Sequence, residues 1–217
     1  MGRFLREMGE RDFVRIPSLS AIFFFCLVST VHAGIIDELK TKQTEIKTVS
    51  ARFMQEKHTK LLTKPIKSSG RFLYKQPDMI RWEYSGSVNM QVIYNGKELW
   101  LYYPELKEAD KLTGLSQYGS LMHFDVFTMS RDYTITAKKE NNIIMLKLAP
   151  KAQGPISQIE MEIPVESPFP RMIKLLDQNN EPTTITFRDV KLNPDLQDSS
   201  FTFAPDKEIT VRERSLK

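Results

Sequence analysis

The chain contains 217 residues, and its 31 basic and 27 acidic residues give a formal net charge of +4. Basic and acidic residues are mixed along the chain without a dense basic block, which argues against a nucleic-acid-binding protein. A single cysteine excludes an intrachain disulfide and a cysteine metal cluster, and the length fits one domain with one hydrophobic core.

The first 33 residues have the features of a secretory signal peptide. An apolar run from Leu19 to Val31 follows a basic segment, and small residues end at Ala33, where a signal peptidase would cut before Gly34. The run is shorter than the roughly 20 apolar residues of a membrane span, although an uncleaved anchor is the alternative. Cys26 lies inside the run rather than after small residues, so it would be discarded and not lipidated. We expect residues 1–33 to be removed on export and residues 34–217 to form one domain.

Apolar residues at helical spacing predict a helix from about Ile35 to Ile46, with acidic residues in its first turn. From Thr48 the pattern changes to alternation, which predicts a strand with Val49 and Phe53 on the same face.

The segment 70–104 predicts an antiparallel meander. Successive side chains of a strand point to opposite faces, so Ile80, Trp82 and Tyr84 share a bulky apolar face while charged residues take the other. The dipeptide Asn95-Gly96 tolerates positive φ and therefore predicts a tight hairpin between the next two strands.

Between Thr113 and Ser130 apolar residues recur at steps of three and four, which predicts a second helical segment rich in Met and Phe. Strands resume after it, separated by turns that contain Asn, Gly and Pro. The predicted strands are 133–138, 143–148, 156–163, 171–176, 183–190 and 201–203.

The scarce residue types do not form a catalytic constellation. Outside the leader the chain has two histidines, His58 and His123, without a partner at metal-ligand spacing, and the common hydrolase and phosphate-loop motifs are missing. The carboxylates Glu160 and Glu162 alternate with apolar residues, which is typical of a solvated strand face. We therefore predict no enzymatic activity, no cofactor and no metal site.

Aromatic and methionine side chains are the stronger signal. They line one face of successive strands, and the two amphipathic segments need an apolar surface to cover. The same pattern is typical of an ordinary core, and periodicity alone does not separate a core from a ligand cavity. The residues on this face are Phe72, Tyr74, Ile80, Trp82, Tyr84, Met90, Val92 and Tyr94.

The order and spacing of several segments resemble the LolA family of periplasmic lipoprotein carriers. The first helix is followed by V-S-A-R-F-M-Q-E, then by G-R-F-L-Y-K-Q-P-D-M-I-R-W-E-Y and by the hairpin Y-N-G-K-E-L-W-L-Y-Y-P. After the helical middle, the last segment is L-Q-D-S-S-F-T-F-A-P-D-K-E-I-T-V. No single segment is diagnostic, but together they extend over nearly all of residues 34–217.

The resemblance implies an α+β, mainly β fold, in which an open, strongly curved antiparallel sheet (an incomplete barrel) has its concave face covered by helices that act as a lid. It also implies a monomeric periplasmic carrier whose apolar cavity accepts the acyl chains of lipoproteins released by an inner-membrane ABC exporter and passes them to an outer-membrane acceptor lipoprotein. The implied cavity lining combines the strand face above with Leu121, Met122 and Phe124.

One position departs from the family. Some members have an arginine directly before the proline of the long motif, where it hydrogen-bonds the lid shut, whereas this chain has Gln76. The neutral amide can still form a hydrogen bond, and Lys75 or Arg81 is the candidate for a charged substitute.

Two alternatives have the same fold: a periplasmic binder of another lipid or glycolipid, and a sensor of lipidated proteins. The single predicted domain disfavours the sensor. The missing lipidation cysteine argues against an outer-membrane acceptor of similar fold.

Overall fold

The structure, a computed structural model, describes residues 30–86, 89–113 and 124–215. These residues form two helices and one sheet. The helices are α1 (Thr30–Thr44) and α2 (Val126–Asp132), and the strands are β1 (Thr48–Lys57), β2 (Ile66–Lys75), β3 (Met79–Ser85), β4 (Met90–Asn95), β5 (Leu99–Tyr103), β6 (Glu108–Thr113), β7 (Tyr133–Glu140), β8 (Ile143–Pro150), β9 (Ile156–Pro164), β10 (Met172–Asp177), β11 (Pro182–Leu192) and β12 (Thr210–Ser215). The strand order is β12-β6-β5-β4-β3-β2-β1-β11-β10-β9-β8-β7, and the end strands do not pair with each other. The sheet is therefore open.

The predicted hairpin is confirmed, and its turn shows why this sequence forms it. β4 ends at Asn95 and β5 begins at Leu99. Gly96 has a φ of +87°, a conformation that costs little without a Cβ. The Asn95 side-chain oxygen accepts hydrogen bonds from the backbone N–H groups of Lys97 and Glu98 at 3.0 and 2.9 Å. The turn thus satisfies its own polar groups and fixes the register of the two strands.

The sheet curves around the helices. Six strand steps separate β2 from β7, which is about 29 Å in a flat sheet with a strand spacing of about 4.8 Å. Helix α1 nevertheless packs against both β7 and α2. The ring of Phe124, two residues before α2, lies 5.1 Å from the ring of Phe72 on β2. Because a helix with its side chains is only about 10–12 Å across, the two halves of the sheet bend toward each other and leave one concave face.

The main core fills this concave face. Leu39 of α1 and Val126 and Met129 of α2 are at most 2% exposed, and they pack in one cluster with inward side chains from both halves of the sheet. Burial of a Leu or Met side chain of this kind stabilises the fold by about 1.5–3 kcal/mol. The predicted architecture is confirmed: a mainly β chain whose open, curved sheet is covered by helices on its concave face.

A second, smaller core lies on the convex face. Its buried residues are Ile93, Trp100 and Ala109. The chain between β11 and β12 crosses this face, and the ring of Phe203 lies 5.2 Å from that of Trp100. Strands β4 to β6 therefore bury apolar side chains on this second face as well, although α1 and α2 lie on the first face.

The predicted strand at 201–203 is wrong. Asp198–Phe201 is a short 3-10 helix that packs on β3 and β4, and Phe201 is fully buried. The carbonyl oxygen of Ser200 accepts a hydrogen bond at 3.0 Å from the side-chain guanidinium of Arg81 on β3, rather than from a backbone N–H of that strand. Phe201 is buried and Phe203 is half-buried here through side-chain packing, without a backbone ladder.

Two strands were not predicted, β6 and β12, and they form the one parallel pair in the described sheet. Every residue of β12 is exposed, so the strand has no alternation of apolar and polar side chains. Ion pairs between β12 and β6 stabilise the pairing instead. Arg212 and Arg214 each place Nε 3.1 Å from a carboxylate oxygen of Asp110, which is 5% exposed.

Some predictions fall outside the described residues. They concern the leader up to residue 29 and most of the second helical segment, including Leu121 and Met122. Of that segment, the described part becomes helical only at Val126. α1 begins at Thr30, so the expected cleavage site after Ala33 lies within this helix. In the portion of the chain that the structure describes, no helix is long and apolar enough to cross a membrane.

Gly70 on β2 permits a close approach inside the sheet. A Cβ atom at this position would lie 1.8 Å from the backbone oxygen of Glu83 on β3 and 2.8 Å from a ring carbon of Phe53. We therefore expect Gly70→Ala to lower the free energy of unfolding by about 1–3 kcal/mol, because β3 and the ring must both move. Urea unfolding followed by tryptophan fluorescence measures the change.

Gly154→Ala is the matched control, since a Cβ atom there meets no atom within 4 Å. Its free energy of unfolding should change by less than about 0.5 kcal/mol. Equal destabilisation by the two substitutions would contradict the close approach at Gly70.

Candidate functional site

Aromatic rings fill the concave side of the sheet. Phe72 and Trp82 face each other across β2 and β3, with ring centroids 4.6 Å apart, and Phe53 of β1 meets the edge of Trp82 at 4.8 Å. Pairs of this geometry contribute about 0.5–1.5 kcal/mol beyond the area they bury. We call the following set the aromatic cluster: Phe53, Phe72, Trp82, Tyr84, Phe124, Phe169 and Phe187.

Four strands and two connecting segments supply these rings. Strand positions on β1, β2, β3 and β11 supply five of the seven, because alternation points every second side chain inward. Phe124 comes from the segment before α2, and Phe169 comes from the connection between β9 and β10. Their rings lie 5.9 Å apart and close the cluster on the side opposite the sheet.

The structure brings most of the predicted cavity residues onto this one face. Phe72, Tyr74 and Ile80 are buried in the main core. Met90 lies opposite Tyr84, and Val92 lies opposite Trp82, in the β3–β4 register, and both are half-buried. Trp82, Tyr84, Tyr94 and Phe124 are half-buried and pack against the core. The shared face is confirmed, whereas a ligand-binding role for these residues stays a prediction.

The described residues pack closely on the concave side of the sheet. A cavity of about 20 Å³ lies between the described parts of the cover and the strands, which is space for about one water molecule. Its walls include Tyr74 of β2, Phe124 before α2 and Phe169. An acyl chain needs far more room, so it could enter only if the aromatic side chains and the segments that carry them move.

Burial disfavours ionisation of two phenol groups on the concave side. Burial raises the pKa of Tyr74 well above its ordinary value, with smaller contributions from the charges of Asp125 and Asp78. Burial also raises the pKa of Tyr84 to about 12. Both phenols therefore ionise less readily than an exposed tyrosine.

One buried amide joins the parts of the cover. Gln43 of α1 is 6% exposed, and its side-chain oxygen accepts a hydrogen bond from the backbone N–H of Val126 at 2.8 Å. Its side-chain nitrogen donates to the carbonyl oxygens of Pro168 at 3.0 Å and Phe124 at 3.5 Å. Because the first N–H groups of a helix lack intrahelical partners, Gln43 also completes the start of α2. A single side chain thus ties α1 to α2 and to the loop that carries Phe169.

The three predicted latch residues lie in two different places. Gln76 borders the small cavity, and its side-chain oxygen accepts a hydrogen bond from the ammonium group of Lys47 at 3.3 Å. Lys75 and Arg81 point to the convex face instead. Lys75 donates to the carbonyl of Leu196 at 2.8 Å, and Arg81 donates to that of Ser200 at 3.0 Å.

The assignment of Lys75 and Arg81 as lid latches therefore needs correction. Both cations hold the C-terminal segment against the back of the sheet, where Lys75 also lies 2.6 Å from the carboxylate of Asp198. The physical reason is strand parity, since Lys75 follows the inward Tyr74 and Arg81 precedes the inward Trp82.

A larger hollow, of about 1190 Å³, lies on the convex face. Arg71, Arg52 and Arg188 lie side by side across β2, β1 and β11 and border it. Its charged lining is unsuited to an acyl chain. No group of three His, Cys, Asp or Glu residues among the described residues is placed to hold a metal ion.

Comparison with known proteins gives the fold a family context. The family described as "Outer membrane lipoprotein carrier protein LolA" matches residues 44–204. The chain is similar to the outer-membrane lipoprotein carrier protein of Dechloromonas aromatica, with 26% identity over 86% of this chain and 91% of that protein. It is also 29% identical to the protein of the same description from Pseudomonas paraeruginosa, over 81% of this chain and 87% of that protein.

Among solved structures, an uncharacterized conserved protein from Thermus thermophilus has a similar fold, with a TM-score of 0.54 and 15% identity over 84% of this chain and 99% of that one. A LolA superfamily protein from Nitrosomonas europaea aligns with a TM-score of 0.47 and 11% identity over 79% of this chain and 97% of that one.

Sequence patterns missed part of the site. Phe53 and Phe187 alternate with polar residues on their strands, so the alternation that located Phe72 could have added them. Phe169 lies between two prolines and has no periodic context. Gln43 is one polar residue in an amphipathic helix, and nothing in its spacing distinguishes it from a solvated side chain.

We expect Gln43→Met to loosen the cover while leaving the sheet folded. Methionine has a similar volume but leaves the N–H of Val126 and the carbonyl of Pro168 without their partner. The loss should lower the free energy of unfolding by about 2–4 kcal/mol. An apolar fluorescent dye, a naphthalene sulfonate, should bind the variant more strongly at temperatures below its melting transition.

Gln197→Met is the control, because Gln197 is exposed and its side-chain nitrogen donates a long hydrogen bond, 3.4 Å, to Asp195. It should leave both stability and dye binding near those of the parent protein. Unchanged dye binding by a folded Gln43→Met protein would show that apolar packing alone holds the cover.

Proposed function

The chain belongs to the LolA family of outer membrane lipoprotein carrier proteins, and from this premise we propose that it carries lipoproteins across the periplasm with their acyl chains held inside the curved sheet. An inner-membrane ABC exporter would supply the lipoprotein, and an outer-membrane lipoprotein would accept it. The proposed binding face is the concave one, which carries the aromatic cluster.

The main support is the character of that face. Aromatic rings from four strands form a continuous apolar surface, and the rings that complete it, Phe124 and Phe169, come from segments outside the sheet. A buried acyl chain contributes about 0.8 kcal/mol per CH₂. Acyl chains that displace Phe124 and Phe169 would replace one set of apolar contacts by another, so the exchange has a small net free energy and stays reversible.

The contacts of the cover agree with such an exchange. Within the described residues, α1 and α2 pack on each other and on β7, at one end of the sheet. The strands that carry the aromatic cluster are β11, β1, β2 and β3, which lie four to seven strand steps from β7. A cover attached at one side can move away from the other side without breaking the sheet.

The proposal also places the protein in the periplasm as a monomer, delivered there by the signal peptide expected at residues 1–33. Inner-membrane vesicles that contain the exporter and a labelled lipoprotein provide a direct test. Incubation with ATP and the purified protein should release a soluble one-to-one complex.

Native mass spectrometry of the protein purified from a membrane-containing extract identifies the cargo. Co-purification of a diacyl or triacyl lipoprotein supports the carrier. Co-purification of a free phospholipid or glycolipid, together with no release from the vesicles, would favour the same-fold lipid binder instead.

We expect Val92→Glu to reduce lipoprotein release by at least tenfold. Val92 is half-buried and lies beside Trp82 on the concave face, so a carboxylate there would face the acyl chains. Leaving that charge unpaired in an apolar environment costs several kcal/mol. The assay is the ATP-dependent release of labelled lipoprotein, with a melting curve measured on the same sample.

Met145→Glu is the matched control. Met145 lies on β8 between the inward residues Ile144 and Leu146, faces the other side of the sheet and is 41% exposed. Lipoprotein release should stay within about twofold of the parent protein. If the two variants release lipoprotein equally well and both are folded, the concave face is not the acyl site.

A further inference from the structure

The connection between β1 and β2 exposes large apolar side chains. Leu61 is 90% exposed, Leu62 is 52% exposed and Ile66 is 45% exposed. Single exposed apolar residues are common on protein surfaces, but three within six positions at the end of one hairpin form a local patch. We call residues 57–67 the hairpin tip.

Cations surround the exposed leucines. The hairpin tip contains Lys57, Lys60, Lys64 and Lys67, all exposed, and contains no acidic residue. Lys67 pairs with Glu56 at 2.8 Å, which leaves three lysines with no ion pair among the described residues. The hairpin tip therefore exposes apolar side chains that are flanked by positive charges.

The hairpin tip is held in place by backbone contacts. The N–H of His58 donates to the carbonyl of Pro182 at 2.9 Å, and the N–H of Leu62 donates to the carbonyl of Thr59 at 3.1 Å. The carboxylate of Glu181 accepts hydrogen bonds from the N–H of Lys60 at 2.8 Å and from the Thr59 hydroxyl at 3.2 Å. These contacts fix the turn so that both leucine side chains point into solvent.

We propose that the hairpin tip docks on an anionic phospholipid surface. Leu61 and Leu62 enter the boundary between headgroups and acyl chains, while the lysine ammonium groups lie at the level of the lipid phosphates. Leucines flanked by lysines are typical of segments that bind the membrane interface, and each lysine near an anionic surface adds attraction. This docking needs no cargo and goes beyond the proposed carrier function.

The composition of the tip favours a bilayer over a protein partner. Protein interfaces are enriched in aromatic residues and arginine and depleted of lysine, whereas residues 57–67 contain lysine and leucine and no aromatic residue or arginine. Lysine can extend its stem along apolar surface and keep its charge in water. The hairpin tip is therefore complementary to a bilayer, which has an apolar interior and anionic headgroups.

The register of the sheet places the tip near one end of the concave face. Lys57 and Ile66 are the last pair of β1 and β2. Tyr84 lies opposite Gly70 on β2, and Met90 lies opposite Tyr84, so both are at this end of their strands. Docking through the tip would bring this end of the aromatic interior close to the bilayer.

Vesicle co-sedimentation with the purified full chain tests the proposal. The parent protein should bind vesicles that contain phosphatidylglycerol more tightly than vesicles of phosphatidylcholine alone, and added salt should weaken that binding. The variant with Leu61→Ser and Leu62→Ser should bind the anionic vesicles at least tenfold more weakly, as expected for two leucines that no longer enter the bilayer. Its melting temperature should not change, because both side chains are exposed.

A second variant separates charge from apolar contact. Lys60→Gln combined with Lys64→Gln should weaken binding to anionic vesicles by about twentyfold, at about fivefold per lysine, and should lower the salt dependence. The matched control is Leu106→Ser. Leu106 is 67% exposed in another turn, where Glu105 precedes it and Glu208 pairs with Lys107, so vesicle binding should stay within about twofold.

Equal binding of the parent protein to the two kinds of vesicle would overturn the proposal, as would unchanged binding of the leucine variant. If the tip variants bind vesicles normally but slow the transfer of lipoprotein to a purified acceptor, the tip docks on a protein and the membrane proposal is wrong. The vesicle measurements contain no lipoprotein, so their failure is distinct from failure of the carrier function.

Discussion

The aromatic face of β1, β2, β3 and β11 has to be kept from water, and the main features of the fold follow from this constraint. Each aromatic side chain buries about 150–250 Å², which at about 25 cal/mol per Å² is several kcal/mol for each ring. A flat sheet would leave such a face open to solvent. The sheet therefore curves, and α1, α2 and the loop with Phe169 cover the opening that remains.

The cover is closed by a weak but specific contact. The amide of Gln43 satisfies one donor and one carbonyl that would otherwise be buried without partners. A neutral hydrogen bond contributes only about 0.5–1.5 kcal/mol net, whereas the loss of a buried partner costs about 1–3 kcal/mol. A partly open state in which the partners of Gln43 stay buried would therefore lose more free energy than the hydrogen bonds contribute to the closed state. Charged donors add to this contact: the ammonium of Lys47 donates to Gln76 at the edge of the same small cavity, and that of Lys42 on α1 donates to the carbonyl of Val165.

Strand periodicity predicts the strands that have one solvent-exposed face and one buried face. β1 and β7 to β9 were located in this way because their inward residues alternate with more exposed ones, whereas the turn at Asn95-Gly96 located β4 and β5. Alternation does not reveal β12 because all its residues are exposed. It wrongly predicts a strand after the 3-10 helix Asp198–Phe201 begins, because Phe201 and Phe203 alternate with other residues without a backbone ladder. Strand parity also places Arg81, next to the inward Trp82, on the face away from α1 and α2. Gln43 and Phe169 depend on tertiary contacts that no local pattern contains.

The pairing of β12 with β6 has a consequence for self-association. An uncovered edge strand offers a row of free N–H and C=O groups to a second chain, which is a common start of aggregation. Here the edge of β6 is occupied by a short strand whose arginines and glutamate present charge to solvent, and β7 at the other edge ends in Lys138, Lys139 and Glu140 and is flanked by both helices. Charged side chains on both edge strands therefore disfavour strand addition by another copy of the same chain.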